Sequence, residues 1–128
     1  MKALPMFCDF DRAFWVTHDV FYSEFNQKDF YFRNKELVDN NYSKHWFFLD
    51  KSGVHWFLLP TIQMISGSTQ FINGRHRTAV LIQNIDRLPM AFSGGGAIAF
   101  AKSLRLEPIA DICQIEFPDL PIVDRPEC

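Results

Sequence analysis

Apolar and polar side chains alternate from Ala13 to Tyr22 (AFWVTHDVFY). Phe14, Val16, Val20 and Tyr22 share one period-2 face with His18, while Trp15, Thr17, Asp19 and Phe21 share the other. That alternation predicts a strand. The next stretch, SEFNQKDFYFRNKELVDNNYSK, keeps no steady period and carries the breakers Asn40 and Asn41, so it reads as a loop with a short helix near Lys35 to Asn40. Two near copies follow, HWFFL at His45 to Leu49 and HWFLL at His55 to Leu59, joined by DKSGV. Asp, Ser and Gly in the connector favour a turn, which makes the two runs adjacent antiparallel strands. A single echo is not a solenoid, which needs several units.

From Pro60 onward the pattern is clearest. PTIQMI alternates weakly, SGS turns, TQFI is a short strand, and NG leads into RHRTAVLIQNI, where Thr78, Leu81, Ile82 and Ile85 form a helical stripe. DRLPMAF then returns as a strand. SGGG opens a second helical run, AIAFAKSLRL, which Pro108 closes, and a tail spaced by Pro118, Pro121 and Pro126 follows. Strands and helices in this order predict an α+β fold with a mixed sheet, in one domain over residues 1–128.

Composition supports a packed core. Of 128 residues, 48% are hydrophobic and 16% aromatic, with 14 Phe and 3 Trp, enough apolar surface to offset chain entropy without disulfides. The formal net charge of −2 gives no whole-molecule field to draw the protein onto nucleic acid or an anionic membrane, so any phosphate binding must be local. Cys8, Cys113 and Cys128 form no CxxC pair, and an odd count at this spacing suggests reduced thiols in a cytoplasm. The N-terminus meets Asp9, Asp11 and Arg12 before any apolar run reaches signal-peptide length. Val54 to Gly74 is free of Lys, Arg, Asp and Glu, but Pro60, Gln63, Ser66, Ser68 and Gln70 interrupt it, so no membrane insertion is expected.

The candidate chemistry lies in QFINGRHRTAVL. Gly74 precedes three basic side chains, Arg75, His76 and Arg77, at the start of a helix, where the macrodipole favours acids instead. A glycine there permits a positive φ and close approach of a ligand, and the free amides of the first turn bind anions. Guanidinium groups add paired hydrogen bonds to phosphate. Residues two apart do not share a helix face. Arg77 is therefore assigned to a bound phosphate or a buried carboxylate, Arg75 to an outward position flanking the ligand or a partner, and His76 either donates to the same anion or packs. The plainer alternative makes Arg77 an internal pin on backbone carbonyls or an acid such as Asp19, with Arg75 and His76 solvated.

The stretch Pro60 to Phe92 resembles the ParB and sulfiredoxin-like fold, which runs from a Pro-led strand through a turn to a second strand, a Gly-x-x-Arg helix start and an IP strand. The matching residues are Pro60, Phe71, Ile72, Gly74, Arg77, Leu81, Leu88 and Pro89. The resemblance implies nucleotide phosphate binding at Gly74, Arg75, His76 and Arg77; the cofactor is then either a nucleoside triphosphate with Mg²⁺ or none. Within that superfamily FINGRHRT is most similar to the plasmid fertility inhibition factors, which restrain transfer of other DNA and carry an NGRHRT signature. The match, Pro60 to Phe92, covers about a quarter of the chain. Sulfiredoxins place a reactive cysteine where this chain has Arg75, so sulfinyl-phosphate chemistry is not expected. ParB proteins add helix-turn-helix and dimerisation domains after this unit, so chromosome partitioning is not expected either.

Other groupings carry weaker signals. SGGGAIAFA has the glycines of a phosphate loop but lacks the Lys and Ser/Thr of a P-loop, and a connection capped by Ser93 explains it as well. His45 and His55 face each other across the expected hairpin without further ligands nearby. Asp9, Asp11, His18 and Asp19 supply a cation site or a general base for Mg²⁺-dependent phosphodiester hydrolysis, against the plainer reading of ordinary acids at a strand's ends. His76 and Asp19 are thus the catalytic candidates if the protein is a nuclease or nucleoside triphosphatase. Two functions compete. One is a mobile-element factor, of plasmid or phage, that inhibits competing DNA transfer through nucleotide or nucleic-acid phosphate. The other is an inhibitor that blocks a protein partner of the transfer or defence machinery without catalysis.

Overall fold

The computed structural model describes residues 2–4, 11–31, 47–49, 55–110 and 115. In chain order the elements are β1 (Lys2–Leu4), β2 (Asp11–Thr17), α1 (His18–Glu24), α2 (Gln27–Tyr31), β3 (Phe47–Leu49), β4 (His55–Leu58), β5 (Thr61–Ile65), β6 (Ser68–Asn73), α3 (Arg75–Asn84), β7 (Arg87–Ser93), α4 (Gly95–Ser103) and β8 (Glu107–Pro108). A mixed five-stranded sheet runs β6-β5-β7-β2-β8, in which only β5 and β7 are parallel. This is an α+β fold. Three further strands form a separate sheet, β1-β4-β3, in which β3 and β4 are antiparallel with Phe47 opposite Phe57, the pairing expected of the two echoed segments.

The central strands are apolar because both of their faces are covered. In β7 every residue from Leu88 to Phe92 is buried, and in β2 Ala13, Phe14 and Val16 are buried. Helix α4 packs on β7, β5 and β2, while α3 carries the chain from β6 back to β7. Pro89 sits in an interior strand, where a missing N–H normally breaks a ladder. It is accommodated because β7 pairs with β5 only at Ala91 and Phe92, leaving the earlier half of β7 bonded on the β2 side alone. Aromatic rings tie α1 and α2 to each other and to the sheet, with Phe21–Phe30 centroids 4.8 Å apart and both rings against Phe71 of β6, at 6.5 Å and 6.2 Å. The helical stripe places Thr78 and Leu81 in full burial, with Ile82 and Ile85 partly covered. Ser66 and Gly67 have φ of 51° and 78°, the paired left-handed turn that two-residue hairpins favour.

Two expectations change. The strand predicted to reach Tyr22 stops at Thr17, and His18–Glu24 is helical. The Thr17 hydroxyl accepts from the Val20 amide at 3.3 Å and Asp19 lies in the first turn, an N-cap that overrides the alternation. Phe21 is buried from that helix while Tyr22 is exposed. Thr17→Ala should therefore lower stability by about 1 kcal/mol in denaturant unfolding; an unchanged midpoint would mean that the cap is not what ends the strand. In the segment read as a loop, a helix forms at Gln27–Tyr31, where Phe30 is anchored in the core. The helix expected near residues 35–40, and all three cysteines, lie outside the described residues. Among the described residues no helix is long and apolar enough to cross a membrane.

Candidate functional site at the start of helix α3

Gly74 is the N-cap of α3, with φ 90° and ψ 19°, and it offers no side chain to cap the helix. Its carbonyl accepts from both the amide and the hydroxyl of Thr78, each at 2.8 Å. A Cβ at this position would stand 2.6 Å from Pro60 Cα and 2.9 Å from Arg77 Nη2. The glycine is thus required twice, by its left-handed backbone and by the space around it. The group approaching it is not the ligand that the sequence reading expects. Pro60, just before β5, fills one side and the Arg77 guanidinium the other, so an anion must be met by the guanidinium and the first-turn amides rather than over the Gly74 Cα.

Arg75 does not point outward as expected. Its Nη2 lies 2.6 Å from Asp29 Oδ1, its Nε donates to the Asp29 carbonyl at 2.6 Å, and its guanidinium stands 5.8 Å from the Phe71 ring centroid. Asp29 Oδ2 also accepts from the Phe71 amide at 2.6 Å, so one carboxylate fastens α2, the β6 edge and the start of α3 together. Sequence reasoning missed Asp29 because it lies 46 residues before its partner in a segment without periodicity, and no local pattern marks it. With its charge satisfied, Arg75 is a structural clamp that orients the helix start.

Arg77 is the opposite case. The residue is only 5% exposed. Its Nη2 donates to Asn73 Oδ1 at 2.5 Å, its buried Nε has no partner, and among the described residues no carboxylate pairs with it. Burial lowers its pKa to about 10, still well above neutrality, so the side chain is a buried cation. No acid occupies the first turn of α3, and the helix dipole adds further positive potential at the same place. The first three amides of the helix have no intrahelical acceptors. The Arg77 guanidinium reaches the helix start through Nη2, 2.9 Å from where a Gly74 Cβ would stand, while its Nε–H is enclosed without an acceptor; a guanidinium at a helix N-terminus suits an oxyanion. The internal pin exists in one respect only: it goes to the Asn73 side chain, not to Asp19 or to backbone carbonyls.

The remaining candidates separate from this site. His18 Nε2 donates to the carbonyl of Ile85 at 2.8 Å, which fixes the β2–α1 junction at the C-terminal end of α3. Asp19, exposed in the first turn of α1, therefore sits by the end of a ten-residue helix about 15 Å long, opposite Gly74 and Arg77. The His76 side chain lies outside the described residues, as do Asp9 and His45. Among the described residues no three His, Cys, Asp or Glu side chains converge on a point. Ser93 ends β7 and does not cap α4; Gly94, with φ 87°, is the N-cap. No family model, curated protein or solved structure matches the chain.

Proposed function

We propose that this chain is a ParB/sulfiredoxin-like phosphate-binding protein of a mobile element, plasmid or phage, that acts in the cytoplasm to inhibit competing DNA transfer. The start of α3 holds a nucleotide or nucleic-acid phosphate between Arg77 and the amides of Arg75, His76 and Arg77. One observation carries this reading: Arg77 is a buried cation with a free Nε–H and no carboxylate partner among the described residues, at an uncapped helix N-terminus. A buried charge without compensation is costly, and a bound dianion would supply both the missing charge and the missing acceptors. Arg75, held by Asp29, keeps the amides aimed. A nucleoside triphosphate would arrive with Mg²⁺ on its own phosphate oxygens, which such ions prefer.

The test is thermal unfolding with inorganic phosphate, ATP with Mg²⁺, and a short DNA duplex. At ten times its Kd a ligand of the folded state adds about 1.4 kcal/mol, a rise of roughly 3–8 °C for a domain of this size. Wild type should show that rise with at least one phosphate-bearing ligand. The Arg77→Met variant, folded by circular dichroism, should not show it and should lose inhibition of plasmid transfer. If wild type gains nothing and the folded variant still inhibits, the protein acts by blocking a protein partner instead.

A further inference from the structure

At the opposite edge of the five-stranded sheet, where β2, β8 and α4 meet, a cleft of about 670 Å³ opens. Its size falls within the ~300–1,000 Å³ of small-molecule sites. Phe14, Ile98, Leu106 and Ile109 give it apolar walls, and Arg12, Lys102 and Arg105 line it as well. Two strands, β5 and β7, lie between its β2 wall and the strand that leads into Gly74, three strand spacings or about 14 Å, so it is not part of the α3 site.

The lining is selective in its chemistry. Among the described residues its lining holds three cations and no Asp or Glu, in a chain of net charge −2. Glu107 lies within the stretch that forms one wall, yet its carboxylate is turned to Arg87 at 2.5 Å, where Arg87 also stacks 4.5 Å over the Trp15 ring. Among the described residues no Ser, Thr, Asn or Gln lines the cleft either. The placement of Arg105 is also unusual. Its amide donates to the Lys102 carbonyl at 3.0 Å, and the Leu106 amide donates to the Ala101 carbonyl at 3.1 Å, the hydrogen-bond pair of a helix ending in which glycine ordinarily takes the left-handed position. Here an arginine takes it, with φ 55°, and the same residue lines the cleft.

We infer that this cleft binds a small amphipathic anion, a carboxylate or phosphate head on an acyl or aryl body. The head pairs with Lys102 and Arg105, and the body lies against Phe14, Ile98 and Leu106. Cations with apolar stems are suited to such a mouth, since the stem extends the apolar wall while the charge stays at the rim. The plainer alternative is that Lys102 only complements the C-terminal dipole of α4, in which case no ligand is recognised.

Calorimetric titration of the full chain with decanoate, below its micelle concentration, separates the two. Saturable one-to-one binding is expected, at least tenfold tighter than that of acetate or decanol. Lys102→Glu/Arg105→Glu should weaken it at least tenfold, and Arg77→Met should leave it unchanged. Arg105→Gly provides the readout that misfolding cannot imitate: it relieves the left-handed backbone, so its melting temperature should rise while its affinity for decanoate falls. Absence of saturable binding, equal binding of decanol, or undiminished affinity in folded Arg105→Gly and in the double variant would each overturn the proposal.

Discussion

Replacing Gly74 by alanine is expected to lower the unfolding free energy by about 3–5 kcal/mol, a large share of the stability of a domain this size. Two effects add. An L-residue at φ 90° is held in a region that costs about 1–3 kcal/mol. The new Cβ would also stand 2.6 Å from Pro60 Cα, a backbone atom at the entry to β5 that cannot rotate away. Denaturant unfolding gives the number, and a loss under about 1 kcal/mol would show that the α3 start and β5 can separate without penalty. A change that large also forbids reading any loss of function in Gly74→Ala as loss of a ligand contact.

Arg77→Met should separate stability from binding in the opposite way. Burial that lowers the guanidinium pKa to about 10 corresponds to a charge whose presence costs roughly 3 kcal/mol, at about 1.4 kcal/mol per pKa unit. Methionine removes that cost and forfeits one charged hydrogen bond to Asn73, worth about 1.5–3 kcal/mol. Without phosphate the variant should thus be as stable as wild type or up to about 2 kcal/mol more stable. The pH dependence has a definite sign. The folded state releases the Arg77 proton near pH 10 while the unfolded state still holds it, so wild-type stability gains from this group as pH rises above about 10, and the gap to the variant narrows there. With phosphate present the order reverses, because the anion pairs with the charge; loss of a buried pair of this kind weakens affinity by about 2–5 kcal/mol. A variant that unfolds outright would make Arg77 a structural pin and nothing more.

Much of the path from β5 to β7 was legible in the sequence, because local signals there agree with the final packing. The Ser66–Gly67 turn, the Gly74 helix start and the Leu81 stripe each follow from a rule that operates over a few residues. The hairpin of β3 and β4 was legible for the same reason. The end of β2 was not, since one hydroxyl cap at Thr17 competed with an equally good alternation and prevailed. The candidate site was half legible. Glycine and Arg77 lie in one motif, and the misplaced basic cluster gave both away. The role of Arg75 was not, because Asp29 reaches it from another helix through tertiary packing that no spacing encodes. The assignment of Asp19 to the same chemistry failed to anticipate the geometry, since strand and helix lengths place it at the other end of α3.

The most direct measurement is a ¹H–¹⁵N titration of the full chain with inorganic phosphate, read at the backbone amides of Arg75, His76 and Arg77. Saturable shifts are predicted at those three amides, largest at the helix start, with one common dissociation constant, and their disappearance in folded Arg77→Met. Amides that stay unmoved through saturating phosphate, or that shift equally in the variant, would contradict a phosphate site at the start of α3.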